Sequence, residues 1–152
     1  MYKRQILNID KKRIELYGVV SPEIAKDMSN AVKDLFGSDI SISITGNVGS
    51  KSGDGLSPIG QVFISINFMN KVDVWEFNFN DDRNTNIESA VSKVFILLNN
   101  NLKNYKIYLA NNKKIVNSRL KLYVLLRKTF IWHVYVILLV KREWLETMFL
   151  TP

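Results

Sequence analysis

The first clear pattern of apolar and polar positions predicts a helix between Ser21 and Gly37. Its apolar residues recur three and four positions apart, which is typical of a helix that buries one face; they are Ile24, Met28, Ala31, Val32, Leu35 and Phe36. Ser21 suits the N-cap, Pro22 suits the first helical position, and Gly37 suits the C-cap. We therefore expect a helix with well-defined ends.

Three strands are predicted after this helix. Residues 40–45 alternate between isoleucine and a small hydroxyl residue, as expected of a strand whose successive side chains point to opposite faces. Because the polar face carries only small side chains, we expect something to pack closely on that side as well. Residues 62–68 and 72–79 predict two further strands, and the short turn 69–71 between them predicts an antiparallel hairpin.

A second helix is predicted after the strands. Thr85-Asn86-Ile87-Glu88 fits a capping box. Apolar residues then follow at helical spacing: Ile87, Ala90, Val91, Val94, Phe95, Leu98 and Leu102. The order helix, strand, loop, strand, strand, helix predicts an α/β fold in which helices flank a mixed sheet. We assign this predicted domain to residues 1–102.

A glycine-rich loop, residues 46–60, follows the first predicted strand. It holds five of the chain's seven glycines, namely Gly46, Gly49, Gly53, Gly55 and Gly60. Glycine lets backbone N–H groups converge on an anion, and the hydroxyl of Thr45 adds a donor, so the loop is able to cradle an oxyanion or a phosphate. It matches neither a Walker A loop nor the dinucleotide fingerprint. A plain turn with Thr45 bonded to it explains the same composition.

Composition narrows the possible chemistry. The chain has no cysteine and one histidine, His133, which excludes disulfides, thiolate zinc sites and multi-histidine metal sites. We expect neither a metal nor another cofactor. His133 lies among aromatic residues, and we interpret it as packed or interfacial. A hydrophobic fraction of 47% and a charged fraction of 23% favour a folded domain over a disordered chain.

Charge divides the chain at about residue 102. Residues 1–102 hold 11 Lys and Arg against 12 Asp and Glu, whereas residues 103–152 hold 10 against 2, so the net charge of +7 belongs to the tail. We predict that this basic, apolar tail is helical. Its apolar run 129–140 is shorter than the ~20 residues that span a membrane. The tail is interpreted as an interfacial membrane helix, a nucleic-acid contact, a segment that packs on the sheet, or sequence that joins no fold.

Several segments match a known family when they are taken together. They are 17–25 (YGVVSPEIA), 35–40 (LFGSDI), 44–49 (ITGNVG), 53–55 (GDG) and 58–64 (PIGQVFI), with Asp82-Arg83 and Ala90-Val91 after them. In this respect the chain resembles the C-terminal domain of the competence/damage-inducible protein CinA, the nicotinamide mononucleotide deamidase (PncC-type) family. The resemblance covers about residues 3–102.

The resemblance implies hydrolysis of the carboxamide of nicotinamide mononucleotide to the acid and ammonia, without a cofactor, in cytoplasmic NAD salvage. It implies that Lys3 is the family's catalytic lysine, that Thr45 helps to hold an oxyanion or the ribose phosphate, and that Arg83 contacts the phosphate. The implied substrate-binding glycines are Gly46, Gly49, Gly53, Gly55 and Gly60. Family members look like dimers or larger assemblies, so a homo-oligomer is expected.

The chain departs from the family pattern at several positions. Ser50 replaces a loop proline, Ser57 replaces the lysine before Pro58, and a second arginine after Arg83 is absent. The family's E-S-C-T-G-G segment, whose serine looks like the nucleophile, has no counterpart. From this departure we expect an N-terminally truncated domain with impaired activity.

Two of the implied site residues have simpler interpretations. Lys3 has the alternative of a solvated lysine near a terminus. Arg83 has the alternative of a surface ion pair with Asp81 or Asp82, which contributes little to stability. The alternative function is a non-catalytic nucleotide-binding or interaction module whose basic tail contacts a membrane surface or nucleic acid.

Overall fold

The computed structural model describes residues 2–49, 55, 57–111, 120–125 and 137–141. Its helices are α1 (Tyr2–Gln5), α2 (Lys11–Tyr17), α3 (Pro22–Phe36) and α4 (Arg83–Asn111), and its strands are β1 (Ile40–Gly46), β2 (Gln61–Phe68), β3 (Lys71–Asn78), β4 (Leu120–Leu125) and β5 (Ile137–Lys141). The strands form one sheet in the order β3-β2-β1-β5-β4. The predicted α/β class, a sheet with helices packed against it, is confirmed.

The sheet is built around β1 and the β2–β3 hairpin. All pairings among the described strands are antiparallel, so the parallel pair that a mixed sheet contains is not among them. β1 pairs with β2 along its whole length, with Ile40–Gly46 opposite Val62–Phe68. The hairpin turn has left-handed backbone at Met69 (φ 52°) and Asn70 (φ 69°). A two-residue turn of this kind matches the twist of the strands, and the predicted hairpin is confirmed.

One face of the central strands is aliphatic and packs against α4. The residues on this face are buried and alternate along the two strands: Ile40, Ile42, Ile44, Val62, Ile64, Ile66 and Phe68. Ala90, Val94 and Leu98 of α4 belong to the same cluster. Because each fully buried aliphatic side chain contributes roughly 1.5–3 kcal/mol, this layer is the hydrophobic core of the domain.

The opposite face of the sheet carries small hydroxyl residues and packs against α3. Ser41 Oγ donates to the carbonyl of Ser29 at 2.6 Å, and Ser43 Oγ donates to the carbonyl of Ala25 at 2.5 Å. The hydroxyls of Ser29 and Ser65 lie 2.9 Å apart. The small side chains let the backbone of α3 approach the sheet. The close neighbour expected on this face is therefore confirmed.

Both ends of α3 are those that the sequence predicts. Ser21 Oγ accepts a hydrogen bond from the N–H of Ile24 at 3.3 Å, and Pro22 occupies the first helical position. Gly37 ends the helix in the left-handed conformation, with φ of 56°. This conformation favours glycine because it has no Cβ.

The start of α4 differs from the prediction. The helix begins at Arg83, and Asp82 Oδ1 accepts from the N–H groups of Asn84 at 2.9 Å and Thr85 at 3.3 Å. Thr85 Oγ1 itself donates to Asp82 Oδ2 at 2.6 Å. The predicted capping box at Thr85 is therefore wrong. An aspartate two residues before the helical N–H groups is a stronger cap, because its charge also favours the positive end of the helix dipole.

Helix α2 is not predicted by the sequence pattern. Asp10 caps it by accepting from the N–H of Lys12 at 2.9 Å. None of its residues is fully buried, and Ile14 alone packs against the cluster of Ile9, Ile24 and Met28. One apolar contact in seven residues does not produce a helical pattern in the sequence. Helix α2 is therefore stabilised by its tertiary contacts more than by its local sequence.

The tail also differs from the prediction. α4 runs past residue 102 to Asn111, and the described parts of the tail beyond it are the strands β4 and β5, not helices. β5 pairs with β1, with Ile40 opposite Val140 and Ser41 opposite Leu139. Short apolar runs of five or six residues fit a strand as well as a helix. The edge of β1 that β2 leaves free favours the strand, because β5 pairs with it. Among the described residues, no helix is long and apolar enough to cross a membrane.

Candidate functional site

Lys3 and Thr45 meet in the interior although 42 positions separate them in the sequence. Lys3 is 4% exposed and Thr45 is fully buried. Lys3 Nζ donates to Thr45 Oγ1 at 2.8 Å and also to the carbonyl of Val19. Thr45 Oγ1 in turn donates to the same carbonyl at 2.7 Å. The alternative of a solvated Lys3 is therefore wrong.

These contacts determine the direction of each hydrogen bond. An ammonium only donates and a carbonyl only accepts, so Thr45 accepts from Lys3 and uses its single proton on Val19. The hydroxyl of Thr45 is therefore directed into the protein. In this arrangement Thr45 orients the ammonium of Lys3.

The short helix α1 is held in place by the residues that follow it. The N–H of Ile9 donates to the carbonyl of Lys3 at 3.0 Å. Ile9 is 7% exposed and packs with Ile24 and Met28 of α3. This apolar contact fixes the chain just after α1, so Lys3 is carried to the end of β1 where Thr45 lies.

Asn47 closes the glycine-rich loop at its base. Its carbonyl accepts from the N–H of Gly60 at 2.6 Å, and its own N–H donates to the carbonyl of Gln61 at 2.9 Å. Its side-chain Nδ2 donates to the carbonyl of Ser57 at 3.2 Å, and the residue is 2% exposed. The start and the end of the loop are therefore joined by three hydrogen bonds from one residue. The sequence analysis did not identify Asn47 as a site residue.

Gly46 and Gly60 have a structural reason to be glycine. A Cβ on Gly46 would lie 2.7 Å from the carbonyl oxygen of Gln61, and a Cβ on Gly60 would lie 1.8 Å from the carbonyl oxygen of Phe79. Gly60 also has a left-handed φ of 85°. Contact of either glycine with a phosphate stays a prediction, because close packing already requires both residues.

The other loop glycines have different surroundings. Gly55 is exposed, with a left-handed φ of 68° and open space where a Cβ would lie. Gly49 is half-buried just after β1. Gly53 lies outside the described residues. Their predicted role in binding substrate is a property of backbone N–H groups and stays a prediction.

Arg83 lies half-buried at the first position of α4. In the described part of the chain, no ion pair involves Arg83, so its predicted alternative as an ion pair with Asp81 or Asp82 is not observed. Asp82 instead serves as the helix cap. Hydrogen bonds from the side chain and backbone of Thr85 hold the pKa of Asp82 below its usual value. Phosphate contact by Arg83 stays a prediction.

Asn86 links the start of α4 to the loop after β1, and the sequence analysis missed this role. The residue is 1% exposed, and its Oδ1 accepts from the N–H of Asp81 at 3.1 Å. Its Nδ2 donates to the carbonyl of Asp81 at 2.8 Å and lies 3.5 Å from the carbonyl of Val48. A buried carboxamide needs such partners. An asparagine beside the apolar positions of α4 is the only sequence signal for it.

A separate cleft of about 470 Å³ lies at the other end of the central strands. Its lining residues are polar apart from one valine: Lys26, Asn30, Lys33, Asp34, Asn67, Asn70 and Val72. Asn67 pairs with Ser41 near the start of β1, whereas Thr45 lies near its end. None of the predicted site residues lines this cleft. Among the described residues, no cluster of three or more His, Cys, Asp or Glu side chains is suited to a metal.

A comparison with protein families identifies the fold. The CinA C-terminal domain family matches residues 1–102, which include the whole β1–β3 sheet and the Lys3–Thr45 pair. The chain belongs to the CinA C-terminal domain family. The sequence-based resemblance to this family is therefore confirmed.

Relatives and solved structures agree with this family. A CinA-like protein of Syntrophomonas wolfei subsp. wolfei is 33% identical over 102 residues, 67% of this chain and 24% of that protein. A CinA-like protein of Thermotoga maritima is 37% identical over 82 residues, 54% of this chain and 20% of that protein. The crystal structure of competence damage-inducible protein A (ComA) from Klebsiella pneumoniae subsp. pneumoniae superposes with a TM-score of 0.63 at 27% identity, covering 66% of this chain and 63% of that chain.

The matches cover only part of each curated relative. This chain spans about a fifth to a quarter of the length of the curated relatives it matches. The CinA family and its fold are shared over that part.

Proposed function

We propose that this CinA-family chain contributes the lysine–threonine centre and the glycine-rich loop of an amidohydrolase for the carboxamide of nicotinamide mononucleotide. The observation that carries the proposal is the buried 2.8 Å hydrogen bond between Lys3 and Thr45. A lysine is rarely buried to this degree, because removing its charge from water costs several kcal/mol. A functional role explains why the chain retains it.

Each part of the candidate site has a separate role in the proposal. The ammonium of Lys3 supplies a positive charge at the end of β1, which suits a reaction that develops negative charge on an amide oxygen. Thr45 and the carbonyl of Val19 orient that ammonium. The backbone N–H groups of the glycine-rich loop and the guanidinium of Arg83 are available in the proposal for the ribose phosphate. A cytoplasmic location and a homo-oligomer belong to the same proposal.

The test is binding and hydrolysis of nicotinamide mononucleotide by the purified chain. Titration calorimetry should show binding, and an ammonia assay should show whether the carboxamide is hydrolysed. Lys3→Met keeps the length of the side chain but removes the charge, and we expect it to weaken binding roughly 10- to 100-fold. Lys11→Met is the matched control, since Lys11 is exposed and forms an ion pair with Glu15 on the surface.

The outcomes separate the parts of the proposal. Binding without ammonia release supports a nucleotide-binding centre and assigns the attacking group to residues outside the described site. The proposal fails when the folded wild-type chain neither binds the nucleotide nor releases ammonia. Equal loss of binding in Lys3→Met and Lys11→Met would also contradict a specific role for Lys3.

The second candidate is a non-catalytic module that binds polyanions through its tail. The observation that favours it is the charge asymmetry, with 10 Lys and Arg against 2 Asp and Glu in residues 103–152. Heparin should retain the full chain at low salt and release it as salt rises, because such contacts are screened. Replacing Lys113 and Lys114 with Gln should shorten retention more than replacing Lys11 and Lys12. Equal retention of the two variants would count against a tail-specific contact.

A further inference from the structure

The polar cleft near the start of β1 lies between helix α3 and the β2–β3 hairpin. Lys26, Asn30 and Lys33 are three or four positions apart on α3, so they share one face of that helix. Asn67 and Val72 are partners in the β2–β3 pairing, so their side chains lie on the same face of the sheet. The cleft has a volume of about 470 Å³, which is within the range of small-molecule sites.

Asn67 brings an unsatisfied acceptor to this cleft. The residue is 5% exposed, and its Nδ2 donates to Oδ1 of Asn30 at 2.8 Å. In the described part of the chain, Oδ1 of Asn67 is buried without a hydrogen-bond partner. A buried polar atom without a partner costs free energy, and folded proteins satisfy nearly all such atoms. A hydroxyl group of a ligand in the cleft would supply the missing donor.

The charge of the cleft favours an anion. Lys26 and Lys33 contribute two ammonium groups to its lining, and Asp34 contributes one carboxylate. Within the described ranges, none of these three residues takes part in an ion pair. Lys33 Nζ donates to Oδ1 of Asn70, and this neutral partner leaves the charge of the lysine uncompensated. A surface with excess positive charge raises the local concentration of anions.

These two features together select a ligand that is both anionic and hydroxylated. An anion without a hydroxyl would leave Oδ1 of Asn67 unsatisfied, and a neutral sugar would gain nothing from the two ammonium groups. A phosphate monoester carries a charge of about −1.5 to −2 at neutral pH, so it gains more from two lysines than a carboxylate does. We propose that this cleft binds a phosphorylated polyol, with the phosphate beside Lys26 and Lys33 and a hydroxyl that donates to Asn67.

This binding site is separate from the Lys3–Thr45 pair. Asn67 lies four residues along β2 from Phe63, the partner of Thr45. At the rise of a β-strand this separation is roughly 13 Å. The proposed ligand site therefore goes beyond the proposed amidohydrolase and does not depend on it.

The first experiment titrates the isotope-labelled full chain with glycerol monophosphate and follows the side-chain amide signals by NMR. The signals of Asn30 and Asn67 should shift and saturate. Glycerol supplies the hydroxyls without the charge, and sulfate supplies the charge without a hydroxyl. Each should bind at least about 10-fold more weakly than glycerol monophosphate. The proposal fails when neither signal shifts up to about 20 mM glycerol monophosphate, or when sulfate binds equally well.

Two variants separate the charge from the acceptor. Lys26→Gln removes one exposed ammonium and should weaken binding of glycerol monophosphate about 3- to 10-fold, as should Asn67→Ala, which removes the acceptor. The salt dependence of the affinity should fall in Lys26→Gln and persist in Asn67→Ala, because salt screens only the charged contact.

Lys12→Gln is the matched control for the charge. Lys12 is an exposed lysine of α2 that does not line the cleft, so its replacement should leave the affinity unchanged. Melting temperatures show whether each variant is folded, and Asn67→Val replaces Asn67→Ala if the alanine variant is not. Unchanged affinity in the folded Asn67 variant, or equal losses in Lys26→Gln and Lys12→Gln, would overturn the proposal.

Discussion

The two faces of the central strands are equally buried and are stabilised in different ways. The isoleucine face packs against α4 through apolar contact, which has little directional preference. The serine face packs against α3 through hydroxyl groups that donate to helix carbonyls, as Ser41 and Ser43 do. The first kind of contact contributes most of the stability, and the second fixes the distance and the orientation of the helix.

The candidate site continues the serine face. Thr45 follows Ser41 and Ser43 at two-residue spacing along β1, and all three side chains donate to backbone carbonyls. The last of these carbonyls, that of Val19, also accepts from Lys3. Directional hydrogen bonds therefore lead from the packed interior to the functional pair. A site that must hold an ammonium in one orientation benefits from such contacts.

The largest effect should come from the isoleucine face. Ile42 is fully buried in the main cluster. Ile42→Ala should lower the free energy of unfolding by about 3–4 kcal/mol, because it removes apolar contact and leaves a cavity. Urea denaturation measures the change. A loss below about 1 kcal/mol would show that α4 does not pack on this face as described.

The next effect should come from Gly46, which lies opposite Val62 at the end of β1. A Cβ at this position would lie 2.7 Å from the carbonyl oxygen of Gln61 and from Cγ2 of Val62. Gly46→Ala should therefore lower the free energy of unfolding by about 1–3 kcal/mol through overpacking. Thermal and urea denaturation check it. Full stability together with weaker nucleotide binding would instead assign Gly46 to ligand contact.

A smaller effect is expected on the serine face. Ser43→Ala removes the hydrogen bond to the carbonyl of Ala25 and should cost about 1 kcal/mol. Ser43→Val should cost more, because a larger side chain pushes α3 away from the sheet. The difference between the two variants measures how tightly this face is packed. Equal stability of both variants would contradict close packing.

The smallest effect should come from the exposed cap of α4. Hydrogen bonds from Thr85 lower the pKa of Asp82 in the folded state, so the stabilisation is complete above the usual aspartate pKa of about 4 and is lost as the pH falls through the lower folded pKa. Asp82→Asn keeps a capping acceptor and removes this dependence. Melting temperatures of the two proteins should follow each other above about pH 4 and diverge below it. Parallel curves down to pH 2 would contradict this role of Asp82.

Local signals in the sequence predict most of the described elements of residues 21–102. The two ends of α3 follow from residue types that favour them, namely Ser21 and Pro22 at the start and Gly37 at the end. The alternation in residues 40–45 predicts a strand with two different faces. The predicted start of α4 was wrong by three residues, because Asp82 and not Thr85 caps the helix. Helix α2 and the strands of the tail carry too short an apolar pattern to be distinguished locally.

The sequence likewise predicts some residues of the candidate site and misses others. Lys3, Thr45 and the glycine-rich loop stand out because their residue types suit acyl or phosphate chemistry and match a family. Asn47 and Asn86 do not stand out, since an asparagine in a loop or at a helix start is ordinary in a sequence. Their burial, 2% and 1% exposed, and their bonds to backbone groups far along the chain mark them as structural links.

The sequence by itself determined the α/β class, the ends of α3, the two-faced β1 strand and the family, because each depends on neighbouring residues or on a short motif. Only the tertiary structure decided that Lys3 is buried against Thr45, that Gly46 and Gly60 are required by packing, and that Asn47 donates to the carbonyl of Ser57. Each of these contacts joins different elements or loop ends, and spatial proximity between them arises only when the whole domain folds.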